Sequence, residues 1–346
     1  TGTYAISTTL GEPVCAFVPH ALPPTDPELT DAVWGSHNDA AITALQRLSA
    51  VAGLVPSVDW LLYSAIRQEA LMTSQIEGTQ ATLVDLFDEE AGIAISNADD
   101  VEEVTNYLQA FQWVQTQLRS QQGLPISVRL LCEAHRRLLD GARGSGKQPG
   151  ELRRSQNWIG GTRPSNAVFV PPPAERETIH PYLDGNGRIG RLLIAALLEH
   201  WQLLPEPLMY LSGYLKQHQS EYYRRLSAIR TEGDWEGWVR YFLEAVQNAA
   251  AQSERAVVAL ASLVTNDRRR LLAHPKANAV SYRLFELLPT MPRLSVDRVC
   301  EAVQTTFPTA NAAIKLLEEL GILTEVTGQK KNRMFSYAAY IQLLSQ

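Results

Sequence analysis

Residues 180–191 read HPYLDGNGRIGR, and the apolar stretch LLIAALLE follows at once in residues 192–199. The apolar stretch is rich in helix formers and contains no helix breaker, so it predicts a buried helix that begins between Asn186 and Arg188. The first turn of a helix has unpaired N–H groups and the positive end of the dipole, and glycines beside it let an anion approach the backbone. The stretch therefore predicts a phosphate site.

The polar side chains of this stretch suit phosphate chemistry. Arg188 and Arg191 share one face of the first turn and can bind successive phosphate groups. Asp184 lies just before the helix, where a carboxylate can hold Mg²⁺ against the same phosphates. His180 titrates near neutral pH and can take a proton from an attacking hydroxyl. An ordinary Asp-Gly-Asn-Gly turn is the alternative interpretation of the central four residues alone, and the sequence has neither a P-loop nor a dinucleotide-binding glycine motif.

The stretch resembles the active-site motif of the Fic family, His-x-Phe-x-[Asp/Glu]-Gly-Asn-Gly-Arg-x-x-Arg, with Tyr182 in place of phenylalanine. The resemblance implies a protein adenylyltransferase: a Ser, Thr or Tyr hydroxyl of a target protein attacks the α-phosphate of ATP, and pyrophosphate leaves. It implies His180 as the base and Asp184 as the ligand of Mg²⁺ or Mn²⁺. The nucleotide-binding residues would be Gly185, Asn186, Gly187, Arg188 on the β-phosphate side, and Arg191 on the γ-phosphate. The target protein is open, and this chain itself is one candidate.

Residues 60–78 predict a second important helix, with apolar residues at helical spacing and Gly78 as its stop. Thr73, Glu77 and Gly78 resemble the Fic inhibitory motif, [Ser/Thr]-x-x-x-Glu-[Gly/Asn]. The resemblance implies that Glu77 pairs with Arg191 and blocks the γ-phosphate, since one carboxylate can fill the guanidinium fork that a phosphate would take. A plain helix end is the alternative interpretation of this motif alone. De-AMPylation of a modified protein, with Glu77 orienting a water, is an alternative function.

Residues 155–172 predict a β-hairpin, because short runs of β-forming residues flank a turn rich in Gly, Pro, Ser and Asn. In the Fic family such a flap lies over the active site and aligns the target segment by adding it as a strand. A plain surface hairpin is the alternative. The residues that would position the target here are Trp158, Ile159, Gly160, Val168 and Phe169.

The connection between this flap and His180 is short. In the family a helical stretch stands at this point, whereas here only residues 174–179 intervene, fewer than the roughly 11 residues of an average helix. The short connection indicates that residues are missing between Arg176 and Glu177. A genuine deletion is the alternative, and it would alter the placement of His180.

Residues 275–346 predict a C-terminal winged helix-turn-helix domain, since three helical stretches precede two strands around the basic turn GQKKNR. Such domains often place their second helix in the major groove of DNA. The same module also serves dimerisation or substrate docking, and the second helix here carries Glu318 and Glu319 beside Asn311 and Lys315. A DNA-binding transcriptional regulator with a nucleotide-sensing Fic core is therefore an alternative function, and a homodimer is an open alternative.

Composition limits these interpretations. The formal net charge of -6, from 31 Lys and Arg against 37 Asp and Glu, gives no general attraction to nucleic acid. Three cysteines without disulfide or metal spacing fit a reduced, cytoplasmic protein. The opening residues lack the features of a signal peptide, and no apolar run approaches the roughly 20 residues of a membrane span.

We therefore expect a mainly α protein, a Fic-type helical bundle with a small β-hairpin flap and a C-terminal winged helix-turn-helix domain. Its predicted parts are an N-terminal extension at 1–55, with a Pro-rich stretch and a helix from about residue 38, a Fic catalytic domain at 56–265, and the winged-helix domain at 275–346.

Overall fold

The computed structural model describes residues 2–25, 28–53, 57–174 and 180–345, and within them helices dominate, which confirms the predicted mainly α class. The elements up to residue 272 are β1 (Gly2–Thr9), β2 (Glu12–Pro19), α1 (Asp31–Ala52), α2 (Val58–Ile76), α3 (Leu83–Glu90), α4 (Ala98–Arg119), α5 (Val128–Leu138), a 3₁₀ helix (Pro164–Asn166), α6 (Asn186–His200), α7 (Leu211–Gln217), α8 (Gln219–Thr231) and α9 (Trp235–Leu272).

The helical core positions the N-terminus of α6. Helix α4 contacts both α2 and α6, and its buried side chains recur at helical spacing, among them Val104, Tyr107 and Phe111. This apolar stripe is the reason the segment forms a helix packed in the core rather than a surface helix. Helix α1 packs along α9, so the segment from Asp31 onward belongs to the helical body.

Residues 2–19 form a β-hairpin that the predicted N-terminal extension did not include. β1 and β2 pair antiparallel from Gly2 opposite Pro19 to Thr9 opposite Glu12. The turn between them has positive φ at Leu10 and Gly11, as in the primed turns that suit hairpin twist. The Thr, Ile and Val content of this stretch favours strands, whereas the prediction weighed only the prolines that follow. Helix α1 also begins earlier than the predicted residue 38.

The flap, residues 155–172, is less regular than the predicted β-hairpin. One antiparallel bridge joins Ile159 to Phe169, with Ile159 N–H donating to the Phe169 carbonyl at 2.8 Å. Gly160 and Gly161 then take positive φ values of 66° and 74°, and Pro164 opens the 3₁₀ helix. These residues turn the chain away after a single pair, because neither conformation continues a strand.

The C-terminal unit, residues 275–345, contains α10 (Ala279–Leu287), β3 (Arg293–Ser295), α11 (Val296–Val303), α12 (Phe307–Glu319), β4 (Thr324–Glu325), β5 (Met334–Ser336) and α13 (Ala338–Leu344). Its strands form an antiparallel sheet in the order β3-β5-β4. Ser295 caps α11 by accepting a hydrogen bond from the Arg298 N–H at 3.2 Å, as its sequence position predicts. Strand β3 and helix α13 were not predicted, and the winged-helix assignment stays a prediction.

Two further expectations concern the chain as a whole. The interruption predicted between Arg176 and Glu177 lies outside the described residues. Across the ranges that the structure describes, no helix combines the length and the apolar character that a membrane crossing requires.

Candidate active site

The site is centred on the first turn of α6. Gly185 precedes this helix with φ 72° and supplies no capping side chain; glycine adopts this left-handed conformation without strain. The first N–H groups of α6 and the positive end of its dipole therefore lie at the site without a capping side chain in front of them, the arrangement that binds anions. A Cβ atom at Gly187 would collide with the Glu77 carboxylate, so this position needs a glycine as long as Glu77 is there.

Asn186 closes the loop that precedes the helix. Its Oδ1 accepts from the Tyr182 N–H at 2.9 Å, and its Nδ2 donates to the Tyr182 carbonyl at 2.8 Å. The Tyr182 ring is buried and stacks on His135 with ring centroids 3.8 Å apart. Because the Asn186 amide is engaged within the loop, an anion at this point would meet the backbone N–H groups and the arginines first.

His135 lies beneath the loop, and the sequence interpretation assigned it no role there. Its Nδ1 accepts from the Gly150 N–H at 2.8 Å, so the ring proton resides on Nε2, which donates to the Asp184 carbonyl at 3.0 Å. Burial lowers the pKa of this fully buried histidine. His135 therefore fixes the backbone on which Asp184 stands as a neutral hydrogen-bonding residue.

His180 is held in place through its backbone. Its φ is 55°, unusual for a residue with a side chain, and its carbonyl accepts from Arg153 Nε at 2.9 Å. The buried Arg153 also donates to the Pro172 carbonyl at 2.6 Å, which ties the flap to the histidine. Burial, then the charge of Arg153, lowers the pKa of His180 to about 4 although Glu77 and Asp184 oppose this shift. The ring is neutral at pH 7, as a general base must be.

Asp184 is the carboxylate closest in sequence to the helix start. Its side chain is 45% exposed, its Oδ1 accepts from the Gly185 N–H at 2.6 Å, and it lies 4.0 Å from the Arg188 guanidinium. The described residues contain no cluster of three His, Cys, Asp or Glu side chains that would hold a metal ion by itself. A hard cation here would need phosphate and water oxygens to complete its ligands, which fits Mg²⁺ bound together with a nucleotide.

Arg191 is buried and carries three hydrogen bonds to the end of α2. Its Nε donates to Thr73 Oγ1 at 2.6 Å, and its Nη2 donates to the Thr73 carbonyl at 3.1 Å and to Glu77 Oε1 at 2.5 Å. Burial lowers the pKa of Arg191, but the charge and hydrogen bond of Glu77 together with the nearby Tyr222 and Tyr107 raise it by more, so the net shift is upward. Glu77 stands at the C-cap of α2, before Gly78 with φ 106°. Its carboxylate lies between Arg191 and Gly187, at the position where an anion would bind.

Arg188 is also buried and also paired, but with a different partner. Its Nη1 donates to Glu103 Oε2 at 3.0 Å, and both side chains are about 95% buried. Glu103 also lies 2.9 Å from Arg143 Nε, which belongs to the loop between α5 and the flap. Burial raises the pKa of Glu103 against the opposing charges of Arg188 and Arg143. The two arginines of the predicted phosphate site are thus each bound to a glutamate of another helix.

The flap docks on the N-terminal hairpin. The Phe17 N–H of β2 donates to the Val170 carbonyl at 3.0 Å, and Val14, Ala16 and Val170 form a small apolar cluster against which Trp158 packs. Of the predicted target-positioning residues, Val168 is exposed, whereas the Phe169 ring lies under the Arg230 guanidinium. Strand β2 is therefore attached to the flap at Val170 by one backbone hydrogen bond and a small apolar cluster.

The C-terminal unit contacts the helix that carries Glu77. The hydroxyls of Tyr340 on α13 and Ser64 on α2 are hydrogen bonded at 2.8 Å, and Gln68 of α2 donates to the Leu344 carbonyl. Arg293 of β3 forms a bidentate pair with Asp88 of α3 at 2.6 and 2.8 Å. The position of α2 is therefore set partly by residues near the C-terminus.

The structure brings most of the sequence-predicted residues together. Arg191 contacts Thr73 and Glu77, Gly187 lies against Glu77, and Arg153 links the flap to His180. The sequence interpretation missed four contributors whose partners are remote in the chain and which follow no local pattern: Glu103, His135, Arg153 and Asn157.

The family model and the known proteins that match this chain are all described as Fic. The family described as Fic/DOC family N-terminal matches residues 36–116. A protein adenylyltransferase Fic of Aedes aegypti is 30% identical over 151 residues, 35% of this chain and 28% of that protein. A protein adenylyltransferase Fic of Drosophila ananassae is 26% identical over 212 residues, 52% of this chain and 40% of that protein. The chain thus spans less than half the length of these relatives.

One solved structure supports the fold. The crystal structure of a Fic family protein from Desulfovibrio desulfuricans G20 superposes with a TM-score of 0.53 at 18% sequence identity. The match covers 89% of this chain and 96% of that one. At this identity the likeness supports a shared fold over nearly the whole chain.

Proposed function

The chain is a member of the Fic family, and on this premise we propose that it is an autoinhibited protein adenylyltransferase that transfers AMP from ATP to a hydroxyl side chain of a target protein. One observation carries the proposal: the N-terminal turn of α6 gathers two buried arginines and a neutral histidine around a point now held by a single carboxylate, Glu77.

The chemistry follows from the charges at this point. Neutral His180 accepts the proton of the target hydroxyl, and the hydroxyl oxygen forms a bond to the α-phosphorus of ATP. The bond from that phosphorus to the bridging oxygen breaks, and pyrophosphate leaves. Asp184 would hold a Mg²⁺ ion bound with the nucleotide, which would neutralise charge on the phosphates. The N–H groups of α6 with Arg188 and Arg191 stabilise the charge on the polyphosphate, and phosphoryl chemistry needs mainly such positioning and neutralisation.

The inhibition follows from competition for Arg191. A carboxylate on a guanidinium and a γ-phosphate on the same guanidinium exclude each other, because both need the same N–H groups. Glu77 in addition lies against Gly187, where a phosphate would approach the backbone. Its side chain is 34% exposed, so it can leave the site for solvent without crossing the core. Removal of this carboxylate should therefore raise activity.

The test is transfer of radiolabel from ATP and Mg²⁺ to protein, with wild type, Glu77→Gly, Glu77→Gln and Glu77→Gly/His180→Ala compared. A charge-assisted hydrogen bond contributes roughly 1.5–3 kcal/mol, so Glu77→Gly should raise labelling about ten- to a hundredfold. Glu77→Gln keeps the shape without the charge and should fall between wild type and Glu77→Gly. The double variant should lose at least about a hundredfold of the Glu77→Gly activity, the usual contribution of a general base.

The position of the label separates reaction classes. AMP transfer retains an α-phosphate label on the protein and loses a γ-phosphate label, whereas phosphate transfer gives the reverse. Absence of α-label on any protein with the Glu77→Gly variant, tried with a cell lysate as the source of targets, would contradict the proposed activity.

A further inference from the structure

Asn157 of the flap joins the active-site loop through a single nitrogen atom. Its Nδ2 lies 3.0 Å from the Tyr182 carbonyl oxygen and 3.2 Å from His180 Nδ1. The side chain is buried, and its Oδ1 has no hydrogen-bond partner among the described residues. The flap thus touches the proposed base directly at the ring and indirectly through its loop.

The Tyr182 contact fixes which end of the amide faces the loop. A carbonyl oxygen only accepts hydrogen bonds, so the amide nitrogen and not the amide oxygen must face Tyr182. The same nitrogen then donates to His180 Nδ1, which must carry a lone pair. In a neutral imidazole only one nitrogen carries a lone pair, so the proton of His180 resides on Nε2.

This arrangement leaves His180 without a free lone pair. Nε2 carries the proton, and the Nδ1 lone pair is engaged by Asn157. Arg153 holds the His180 carbonyl and the Pro172 carbonyl at the same time, so the histidine cannot move away from the flap independently. The charged groups that influence the ring are Arg153, Glu77 and Asp184, and they act on its protonation without choosing between its two nitrogens.

We propose that Asn157 is a positioning residue that holds His180 in an unproductive tautomer, so that the flap must withdraw the Asn157 amide before His180 can accept a proton. This proposal rests on the proposed transferase function, in which His180 is the base. Withdrawal of the amide frees Nδ1 and lets the neutral ring exchange its proton with water between the two nitrogens. The nitrogen facing the target hydroxyl then accepts the hydroxyl proton as the oxygen–phosphorus bond forms, and the resulting imidazolium gives that proton to solvent.

This restraint differs from that of Glu77. Glu77 occupies the site of an anion, whereas Asn157 acts on the base and belongs to a segment with little regular structure around the Ile159–Phe169 bridge. A shift of the flap by about 1 Å is enough to break a 3.2 Å hydrogen bond.

The decisive measurement is the tautomer of His180 by two-bond ¹H–¹⁵N correlation spectroscopy of histidine-labelled protein at pH 7. His180→Ala identifies the signal. Wild type should show the proton on Nε2, and Asn157→Ala should show a mixture of tautomers. Asn157→Asp should move the proton to Nδ1, since a carboxylate only accepts, and should raise the pKa of His180. A wild-type ring protonated at Nδ1, or an Asn157→Ala spectrum equal to wild type, would overturn the proposal.

Gln156→Ala is the matched control. Gln156 bonds to the Pro171 carbonyl at 2.7 Å and is not a partner of His180, so its loss loosens the flap alone. The His180 spectrum should then stay unchanged, and a tautomer shift equal to that of Asn157→Ala would refute the assignment to Asn157.

Kinetics in the Glu77→Gly background add a second readout. Asn157→Asp should raise kcat about tenfold with an unchanged KM for ATP, because the base and not the nucleotide site is altered. If kcat falls although the tautomer is the expected one, the claim that the Asn157 restraint is inhibitory is overturned. The spectra need no turnover, so a protein with the expected tautomers but no AMP transfer would contradict the transferase function and leave the assignment of Asn157 intact.

Discussion

Two arginine–glutamate pairs stand one helical turn apart on α6 and differ in one respect. Arg188 pairs with Glu103 and Arg191 pairs with Glu77, and both arginine side chains are 4% exposed. Glu103 is 5% exposed in the first half of α4, whereas Glu77 is 34% exposed at the last turn of α2. The same chemical pair is therefore enclosed in one case and open to solvent in the other.

The difference separates a structural pair from a removable one. If Glu103 left Arg188, the buried Arg188 charge would keep only Asp184, 4.0 Å away, as a counter-charge, at a large desolvation cost. If Glu77 leaves Arg191, its carboxylate reaches water and Arg191 keeps its two hydrogen bonds to Thr73. Arg188 is thus held in a fixed orientation, while Arg191 can exchange one anion for another.

The largest expected effect is on stability. Glu103→Ala should lower the free energy of unfolding by about 3–5 kcal/mol, the usual result of leaving a buried charge unpaired. Glu77→Ala should lower it by less than about 1.5 kcal/mol, because water can enter and replace the carboxylate. Urea denaturation monitored by tryptophan fluorescence measures both.

The control for that prediction removes both charges. Glu103→Leu combined with Arg188→Met should recover most of the stability, since well-packed apolar residues replace a buried ion pair at little cost, while nucleotide affinity should stay low without Arg188. Equal destabilisation by Glu103→Ala and Glu77→Ala would remove the distinction between the two pairs.

A second prediction concerns pH. Burial, then Arg153, lowers the pKa of His180 to about 4, and Glu77 raises it whereas Glu103 is not among its influences. A histidine with an ordinary pKa of about 6.5 would lose about tenfold of its neutral form between pH 7.5 and 5.5. The AMP-transfer rate of Glu77→Gln should instead stay within about twofold over this range, because removal of the Glu77 charge lowers the pKa further.

The same shift has a consequence for folding. The folded-state pKa of His180 lies below its unfolded value, so its contribution to stability is complete above about pH 6.5 and is lost as the pH falls toward 4.

The rate measurement has a contrary outcome. A tenfold loss of the AMP-transfer rate of Glu77→Gln by pH 5.5 would show that the histidine is less buried in the active enzyme.

The two pairs also show what sequence could predict. The helix α6 and the end of α2 follow from local apolar spacing and from glycines. The pairing of Glu77 with Arg191 is predicted from the resemblance of its motif to the Fic inhibitory motif. Glu103 lies 85 residues from Arg188 along the chain and belongs to a helix whose polar positions look alike. No local pattern distinguishes it from a solvated glutamate, because its burial is a property of the packed helices.

Other residues missed by sequence have the same cause. His135 reaches the Asp184 carbonyl over 49 residues, and Arg153 binds carbonyl groups that any sequence offers equally. The N-terminal hairpin is different, because its strand-forming residues and its Leu-Gly turn are a local sequence pattern. The prolines that follow favour an irregular extension instead, and the prediction follows the prolines. For the flap, the sequence predicts more strand pairing than the structure has. Its β-forming residues flank a turn that is too rich in glycine to extend the pairing beyond one bridge.

The smallest expected effect concerns the contact between the C-terminal unit and α2, which helps to keep Glu77 in place. Tyr340 of α13 is hydrogen bonded to Ser64 on α2, the helix whose C-cap is Glu77. Tyr340→Phe removes one buried hydrogen bond, worth about 0.5–1.5 kcal/mol, and should raise basal AMP transfer by about two- to tenfold because α2 is held less firmly. The increase should vanish in the Glu77→Gly background, where the position of α2 no longer matters to the inhibition.

Tyr337→Phe supplies the matched control for this last comparison. Tyr337 lies three residues earlier and donates to Asp267 of α9 at 2.8 Å, so the same hydroxyl is lost from the same unit but from a helix that does not carry Glu77. Tyr337→Phe should destabilise the chain without raising AMP transfer. If both variants raise transfer equally, general loosening of the C-terminal unit and not its contact with α2 controls Glu77, and the open pair would then depend on the whole fold as much as the enclosed one does.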